Sequence, residues 1–529
     1  MPQPKRVLII GWDGVDWKIV QPMLDAGELP NLAAMIERGA HGDLLSTVPS
    51  HSWCAWPSFM TGVNPAEHGV FDILEHKPGV TKRLPVTYRS IKSRTIFDDF
   101  SAADKTSLAI NIPLTFPPPK IKGKVIGGGV LPASRSYTYP TELQQELDAN
   151  APFPVNGMSW TTFRNRPEAF IQECAEITAK RQKSFEYLLD TTEWDFGVLV
   201  YVSTDRIQHC MMQYIHPEHP DYPKMKDTAV ARQTRGVYQQ LDDGLAQLLK
   251  RTTDDDLVIF MSDHGHQACT RACTMDRVLA HMGYATFSKG SFATNIIRWG
   301  PGRRIARRLY DLFKLHGRIA LPATPLDWTK SRAYTSVSST GEGVSINLKG
   351  REPQGTVDPK DYDSLREEIF QALSEFRDPD NGKPPIQKIY RKEEVLSGKF
   401  LDTAPDLLLV PAPFYSLTHA KTMVEDADWL SGDHRLEGMI VATGPDVRSG
   451  PLQETARLID LGPTSLAALG VPSGIPRDGK VLETLVGPGV QLEVSETGAG
   501  SNGEADQGGL TSEEEVEVEE HLRGLGYVE

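Results

Sequence analysis

Three apolar runs in this chain each finish in an acid. RVLIIGWDG reaches Asp13, FGVLVYVSTD reaches Asp205, and DLVIFMSDHG reaches Asp263 and His264. Four residues past Asp205, in STDRIQHC, stands His209, and SGDHRLEG carries His434. An i, i+4 spacing puts Asp205 and His209 on one face wherever a helical turn follows the strand. Three carboxylates and three imidazoles make a donor set for two divalent ions of the zinc type, with manganese the alternative and calcium a poorer fit. Two such ions about 4 Å apart lower the pKa of an attacking oxygen and stabilise a leaving one, as in-line displacement at phosphorus requires. A single acid at a strand end is ordinarily a turn former or helix cap. Three of them, two followed by histidines, point to a site.

A nucleophile for such a site has to be sought elsewhere in the chain. SHSWCAWPSFMTG offers Ser50, Ser52, Cys54, Ser58 and Thr61. A hydroxyl is inert near neutral pH unless a base or a metal takes its proton. Ser52 opens an apolar, aromatic stretch that reads as a helix start, where a hydroxyl also serves as an N-cap. Helix N-termini stabilise phosphate anions as well, so the two roles are compatible.

The elements that must position these residues follow from the same runs. Continuous apolar, β-rich segments are strands buried on both faces of a parallel sheet. Helical stretches at Leu29 to Arg38, Asp227 to Arg251 and Tyr362 to Phe376 alternate with them. The expected fold is α/β, a doubly wound, mostly parallel central sheet flanked by helices, in which ligands bind beyond the carboxyl ends of the strands. GVSINLKG, DLLLVP and GMIVATG suggest later strands, and LGPTSLAALG a helix closed by glycine. Residues 1–490 read as the catalytic body, with Pro- and aromatic-rich stretches at 85–190 and 285–335 read as inserted caps. The second of these holds the basic segment RWGPGRRIARRLYDLFKLHGRIA, in which Ile305, Leu309, Leu312 and Phe313 share a face bordered by Arg303, Arg304, Arg307, Arg308 and Lys314. It reads as an amphipathic cap helix, or as a grip on a polyanionic or lipid-phosphate substrate. Residues 491–529 read as an acidic flexible linker and a terminal helix. Ser512 and Glu515 form its expected capping box, and Val518, Leu522 and Leu525 form a face that docks on the body or on another subunit.

Composition narrows the function classes. A net charge of −14 counts against a nucleic-acid binder. The five cysteines are an odd, scattered set, which suggests no disulfide framework and a reducing, cytoplasmic setting. Cys269 and Cys273, four apart, lack the second pair that zinc-knuckle spacing needs. No stretch approaches the length of a transmembrane helix, and the N-terminal apolar run is too short for a signal segment.

In order, GWDG, MTGVNPAEHGVFD, STDRIQH, SDHGH and GDHRLEGMIVATGPDV resemble the alkaline phosphatase superfamily, in particular its type I phosphodiesterase/nucleotide pyrophosphatase branch. SINLKGREPQGTV, TAPDLLLVP and DLGPTSLAALGVPSGIPRDGKVL match the same branch, so the resemblance covers most of residues 5–485. It implies that Asp13, Asp263 and His264 hold one ion together with the nucleophile, and that Asp205, His209 and His434 hold the other. In the family the nucleophile lies nine residues before the Thr of the TG motif, and counting back from Thr61 gives Ser52, where Thr is frequent. Cys54 lacks the Pro and Arg context of the sulfatases, and Thr47 lies too far from Thr61. His68 falls at a family position read as structural, and His266 as a supporting or surface residue. The resemblance implies a hydrolase cleaving a phosphodiester or phosphomonoester through phosphoserine, acting on a phosphorylated small molecule or lipid phosphate. A phosphomutase of the same superfamily and a non-catalytic phospholigand scaffold are the alternatives. The nucleotide-cleaving members carry an Asn where this chain has Ile73, which counts against nucleotide diesters.

Overall fold

A computed structural model describes residues 4–525 apart from 76–83, 133, 164–165, 289–325, 338–339, 419–421, 428–429 and 496–509. The run RVLIIGWDG forms the strand Val7–Trp12, buried along its whole length. Its side chains alternate, Val7 and Ile9 entering one core and Leu8, Ile10 and Trp12 the other. A strand covered on both faces must be apolar throughout, which is why no polar residue appears before Asp13. Phe196–Tyr201 pairs with it in parallel on one side and Leu257–Met261 on the other. Trp12 lies opposite Tyr201 and Gly11 opposite Met261, so the three chains leave the sheet at one level.

These three strands lie inside a ten-stranded sheet that is mostly parallel and is flanked by helices. Glu437–Thr443 runs antiparallel between Leu257–Met261 and Ala40–Leu45, bringing in the residues just after His434. Within residues 85–190, expected as an inserted cap, strands instead extend this sheet. Ser107–Pro113 pairs in parallel with Phe196–Tyr201, and Gly123–Gly128 pairs in parallel with Ser107–Pro113. Pro113 at the end of the first strand and Pro117, Pro118 and Pro119 between the two give the stretch a loop composition, yet all of Ser107–Pro113 is buried. The helix Pro167–Thr191 then covers the sheet alongside Ala229–Leu249, to which Gln182 donates at Gly244 O, 3.2 Å.

GVSINLKG and DLLLVP form strands, but in a separate four-stranded sheet with its own core around Ile346, Ile369 and Leu409. A third small sheet pairs Gly265–Cys273 with Gly432–Arg435, placing His266 opposite His434. The basic segment expected at 285–335 falls almost wholly outside the described residues, as do residues 496–509 of the expected linker. The terminal helix Ser512–Leu525 is present and docks on the body through buried Val518 and Leu522. Its cap differs from the expected one by one residue. Thr511 N donates to Glu514 Oε2 at 2.7 Å and Glu514 N to Thr511 Oγ1 at 3.3 Å, while Glu514 also pairs with Arg135 at 2.6 Å. No helix among the described residues is long and apolar enough to cross a membrane.

One buried ion pair anchors the helix Ser52–Thr61 from behind. Arg477 bonds both Asp99 and the Thr61 carbonyl, and Asp99 also accepts from Arg94 at 2.5 Å and from Gly474 N at 3.0 Å. The side chains of Asp99 and Arg477 are each 1% exposed. Removing one partner of such a pair strands a buried charge. Asp99→Ala is therefore expected to destabilise the protein by ~3–5 kcal/mol in urea unfolding, and a loss under about 1 kcal/mol, the range of exposed pairs, would contradict this anchoring role.

Candidate metal centre and nucleophile

The common exit level of the three central strands brings their acids together. Asp13 follows the first strand, Asp205 lies in the first turn of Ser203–Ile215, and Asp263 follows Leu257–Met261. All three are buried, with Asp263 fully so. Backbone and side-chain donors fix them. Gly14 N donates to Asp263 Oδ1 at 3.2 Å, Trp56 Nε1 to Asp13 Oδ2 at 3.1 Å, and Thr204 Oγ1 to the Asp13 carbonyl at 2.6 Å.

Two donor clusters result among the described residues: Asp205, His209, His266 and His434, and beside it Asp13, Asp205 and His264. Asp205 Oδ1 is 3.3 Å from His209 Nε2 and 3.6 Å from Nε2 of both His266 and His434. His209 Nε2 and His434 Nε2 are 3.1 Å apart. The outer nitrogens explain why the inner ones converge. Nδ1 of His209, His264 and His266 faces the carbonyl of Gly432, Gly265 and Gly14 at 3.2, 3.1 and 3.1 Å. A carbonyl only accepts, so each Nδ1 carries a proton, and in the neutral ring Nε2 then offers its lone pair inward, the arrangement of a metal-ligating imidazole.

His266 is the residue whose role the sequence understates. It has no exposed surface, and its Nε2 has no hydrogen-bond partner. Gly14, at φ +74°, makes room for it, because a Cβ there would lie 2.6 Å from His266 Cε1. Asp16 Oδ2 accepts from its backbone N–H at 3.1 Å. The signal in the sequence is the extra His of SDHGH, which alternation along a strand returns to the side of His264. Asp263 stands slightly apart from the clusters, with its Oδ2 3.4 Å from His264 Nε2 and without a hydrogen bond.

Ser52 is the hydroxyl that meets this centre. His51 occupies the N-cap position of its helix without a side-chain cap bond, so Ser52 is not the cap. Ser52 Oγ instead donates to Asp13 Oδ1 at 3.2 Å and lies 3.1 Å from His264 Nε2. The rival hydroxyls turn elsewhere: Ser58 donates to Cys54 O at 3.0 Å, Thr61 to Pro57 O at 2.7 Å and Thr47 to Pro49 O at 2.7 Å. Cys54 is fully buried, and burial pushes its thiol up to about 12. His68 Nε2 meets Ser58 Oγ at 2.8 Å while its Nδ1 accepts from Val70 N at 3.2 Å, joining the following loop to this helix. Ile73 is buried, and Cys269 and Cys273 are buried outside the donor clusters.

The electrostatics follow from the burial. Desolvation, then the neighbouring Asp263, raises the Asp13 carboxyl well above its ordinary value. Desolvation and Asp205 push Asp263 up to about 7. Burial also raises Asp205, but His209, His434 and Arg206 outweigh it and hold that carboxyl well below the ordinary value. Burial holds His266 and His434 well below the usual imidazole range. Three desolvated carboxylates with inward lone pairs lack positive charge, and a divalent ion supplies it. The orphaned Asp263 Oδ2 and His266 Nε2 fit such ions.

A family model described as Type I phosphodiesterase / nucleotide pyrophosphatase matches residues 7–437. No curated protein gives a sequence match. Among solved structures, an inactive variant of murine ectonucleotide pyrophosphatase/phosphodiesterase 5 in complex with AMP is 14% identical, with a TM-score of 0.50 over 90% of this chain and 97% of its own. Phosphonoacetate hydrolase from Sinorhizobium meliloti 1021, in complex with phosphonoformate, is 16% identical, with a TM-score of 0.52 over 89% of this chain and 96% of its own. At these identities the likeness is one of fold.

The buried acids set a sign for the metal-free protein. Asp263, at about 7 when folded, binds more protons folded than unfolded, so its contribution to stability falls as pH rises through that value. The histidines held low by burial act the opposite way, because unfolded imidazoles still lose protons above about pH 6.5. Comparison with Asp263→Asn isolates the acid: the Tm of the metal-free variant minus that of metal-free wild type is expected to grow between about pH 6.5 and pH 8. A difference that stays constant or shrinks over this interval would contradict the charge deficit.

Proposed function

This chain belongs to the type I phosphodiesterase/nucleotide pyrophosphatase family, a family of phosphoester hydrolases, and on that premise we propose that Ser52 is the nucleophile of a two-metal phosphoester hydrolase. The observation that carries the proposal is the position of Ser52 Oγ, 3.2 Å from Asp13 Oδ1 and 3.1 Å from His264 Nε2 at the head of its helix. Asp13, Asp263 and His264 would hold one divalent ion with Ser52, and Asp205, His209, His266 and His434 the other. His266 is the addition to the set expected from sequence. Zinc suits a site with four imidazoles, and manganese is the second choice. Ions held there would acidify the serine hydroxyl and offset charge on the leaving oxygen.

The protein's own groups then act as follows. Ser52 attacks phosphorus, forming the Oγ–P bond as the ester P–O bond breaks and the alcohol leaves. Asp13, which accepts from Ser52 Oγ in the resting site, orients the oxygen for attack. Backbone N–H groups at the start of the helix Ser52–Thr61 would stabilise the negative charge on the phosphoryl oxygens. Water then displaces Ser52 and releases phosphate or its monoester. Five buried cysteines, none in a disulfide, are consistent with a cytoplasmic enzyme.

Ser52→Ala is expected to reduce kcat/KM for p-nitrophenyl esters by roughly 10³-fold or more while leaving the melting temperature near wild type; a variant with full turnover would remove Ser52 from this role. His266→Gln tests the added ligand without relying on turnover. Competition against a chelating dye should show one of two zinc ions bound at least ~10–100-fold more weakly, the loss typical even of an outer-shell partner. Two undiminished sites would exclude His266 from the ligand set.

A further inference from the structure

The cavity over Ser52 is lined by both acidic and cationic side chains. Asp13, Ser52 and Asp205 share it with Asn111, Arg181 and Arg206. Arg181 comes from the long helix Pro167–Thr191 and is only 4% exposed. Its Nε and Nη2 donate to the Pro154 carbonyl at 3.2 and 3.1 Å, and Nη2 also to that of Val155 at 3.1 Å. Its guanidinium lies over the Phe153 ring, 5.1 Å from the centroid. These contacts hold the plane of the group and leave Nη1 buried without a partner. Among the described residues Arg181 forms no ion pair with any carboxylate. The charge that acts on it most is a second cation, Arg206, and burial with this repulsion lowers the guanidinium to about 9, so it stays charged at neutral pH. Arg206 itself lies 3.6 Å from Asp205 Oδ2, and its side chain is 14% exposed.

A buried cation without a counter-ion is among the most expensive arrangements a fold can keep. Hydrophobic packing at the same place would be more stable, so the missing anion is expected to arrive from outside. The neighbouring backbone is shaped for access as well. Asn111 sits in a bulge of its strand at φ +61°, with its amide donating to Val200 O at 2.7 Å, and so lines the cavity instead of continuing the ladder.

We propose that Arg181 and Arg206 form an anion subsite beside Ser52, and that the substrate carries a second negative charge in addition to the single charge of a simple diester. This rests on Ser52 being the nucleophile, because the shared cavity is what brings the subsite to the reacting phosphorus. The second charge belongs either to the reacting phosphoryl group, as in a monoester dianion, or to an anionic arm attached to it. Arginine suits both, since its fork binds two oxygens of a phosphate or carboxylate at once.

The test uses the full-length, zinc-loaded protein and three chromogenic esters: p-nitrophenyl phosphate, methyl p-nitrophenyl phosphate, and a p-nitrophenyl diester with a carboxymethyl arm. Wild type is expected to prefer one of the two doubly charged esters, and which one identifies the source of the charge. Arg181→Gln and Arg206→Gln should lower kcat/KM for that ester by ~10–100-fold, the worth of a hydrogen bond to a charged group, and lower it least for the methyl diester. Arg181→Lys should recover part of the loss. Equal losses on all three esters, or no loss, would overturn the subsite. Calorimetric titration with inorganic phosphate reads it independently of turnover. Weaker phosphate binding by Arg181→Gln supports the subsite even where no ester is cleaved, a result that would sink the nucleophile assignment alone. Undiminished phosphate affinity would overturn the subsite whatever the kinetics.

Discussion

Three carboxylates, those of Asp13, Asp205 and Asp263, are buried together at one edge of a parallel sheet, and desolvation sets the terms for everything around them. Left alone, such groups protonate or drive the chains apart. Asp205 escapes through His209, His434 and Arg206, whereas Asp13 and Asp263 have no comparable cation and are raised. The fold holds this deficit in place with neutral donors, Gly14 N and Trp56 Nε1. Neutral donors orient the carboxylates without cancelling their charge, and the attraction for a divalent ion survives. A structural ion-pair network would have placed Lys or Arg in these positions, as it does around the buried Asp406, where Arg351 and Lys392 converge.

Register converts that local charge problem into a fold-wide one. The acids meet because Val7–Trp12 pairs with Phe196–Tyr201 and Leu257–Met261 so that all three strands end together. A slip of one residue in any pair would turn side chains from one core to the other and move an acid off the edge. His434 depends on a further pairing, Gly432–Arg435 with Gly265–Cys273, whose register also faces it with His266. The Ser52 helix is held by another device, the Asp99–Arg477 pair at its far end. Atoms from five separate segments are thus set within a few ångströms by backbone pairing and one buried ion pair.

The central strands and their terminal acids were legible in the sequence because two-sided burial forces a continuous apolar run, and a polar residue at its end is conspicuous. The six donors and Ser52 were singled out by that reasoning joined to the family resemblance. The strands at 107–113 and 123–128 were not, since prolines between them carry the composition of a loop and sheet membership depends on a distant partner. His266 was undervalued for a related reason. Its place in the donor cluster depends on a pairing with residue 434 and on the absence of a Cβ at Gly14, neither of which is a local pattern. The terminal helix was predicted correctly, but its box forms at Thr511 and Glu514, where Arg135 adds a tertiary partner that sequence spacing cannot reveal.

Arg181 shows the same limit from the opposite direction. Within a long helix that also carries Lys180 and Lys183, an arginine reads as part of a solvated face. The fold buries it against Phe153 and two carbonyls, on the lining of a cavity it shares with Asp13 and Asp205. The net charge of −14 says nothing of this division, because the relevant charges lie inside a single cleft. Carboxylates that attract divalent cations and guanidiniums that attract anions make incompatible neighbours unless something separates them. A phosphoryl group does so, with oxygens that face cations on both sides and a phosphorus atom facing the serine. The mixed sign of the cavity is therefore one property with the proposed chemistry, and Asp205, bonded on one flank to imidazoles and approached on the other by Arg206, stands at the boundary.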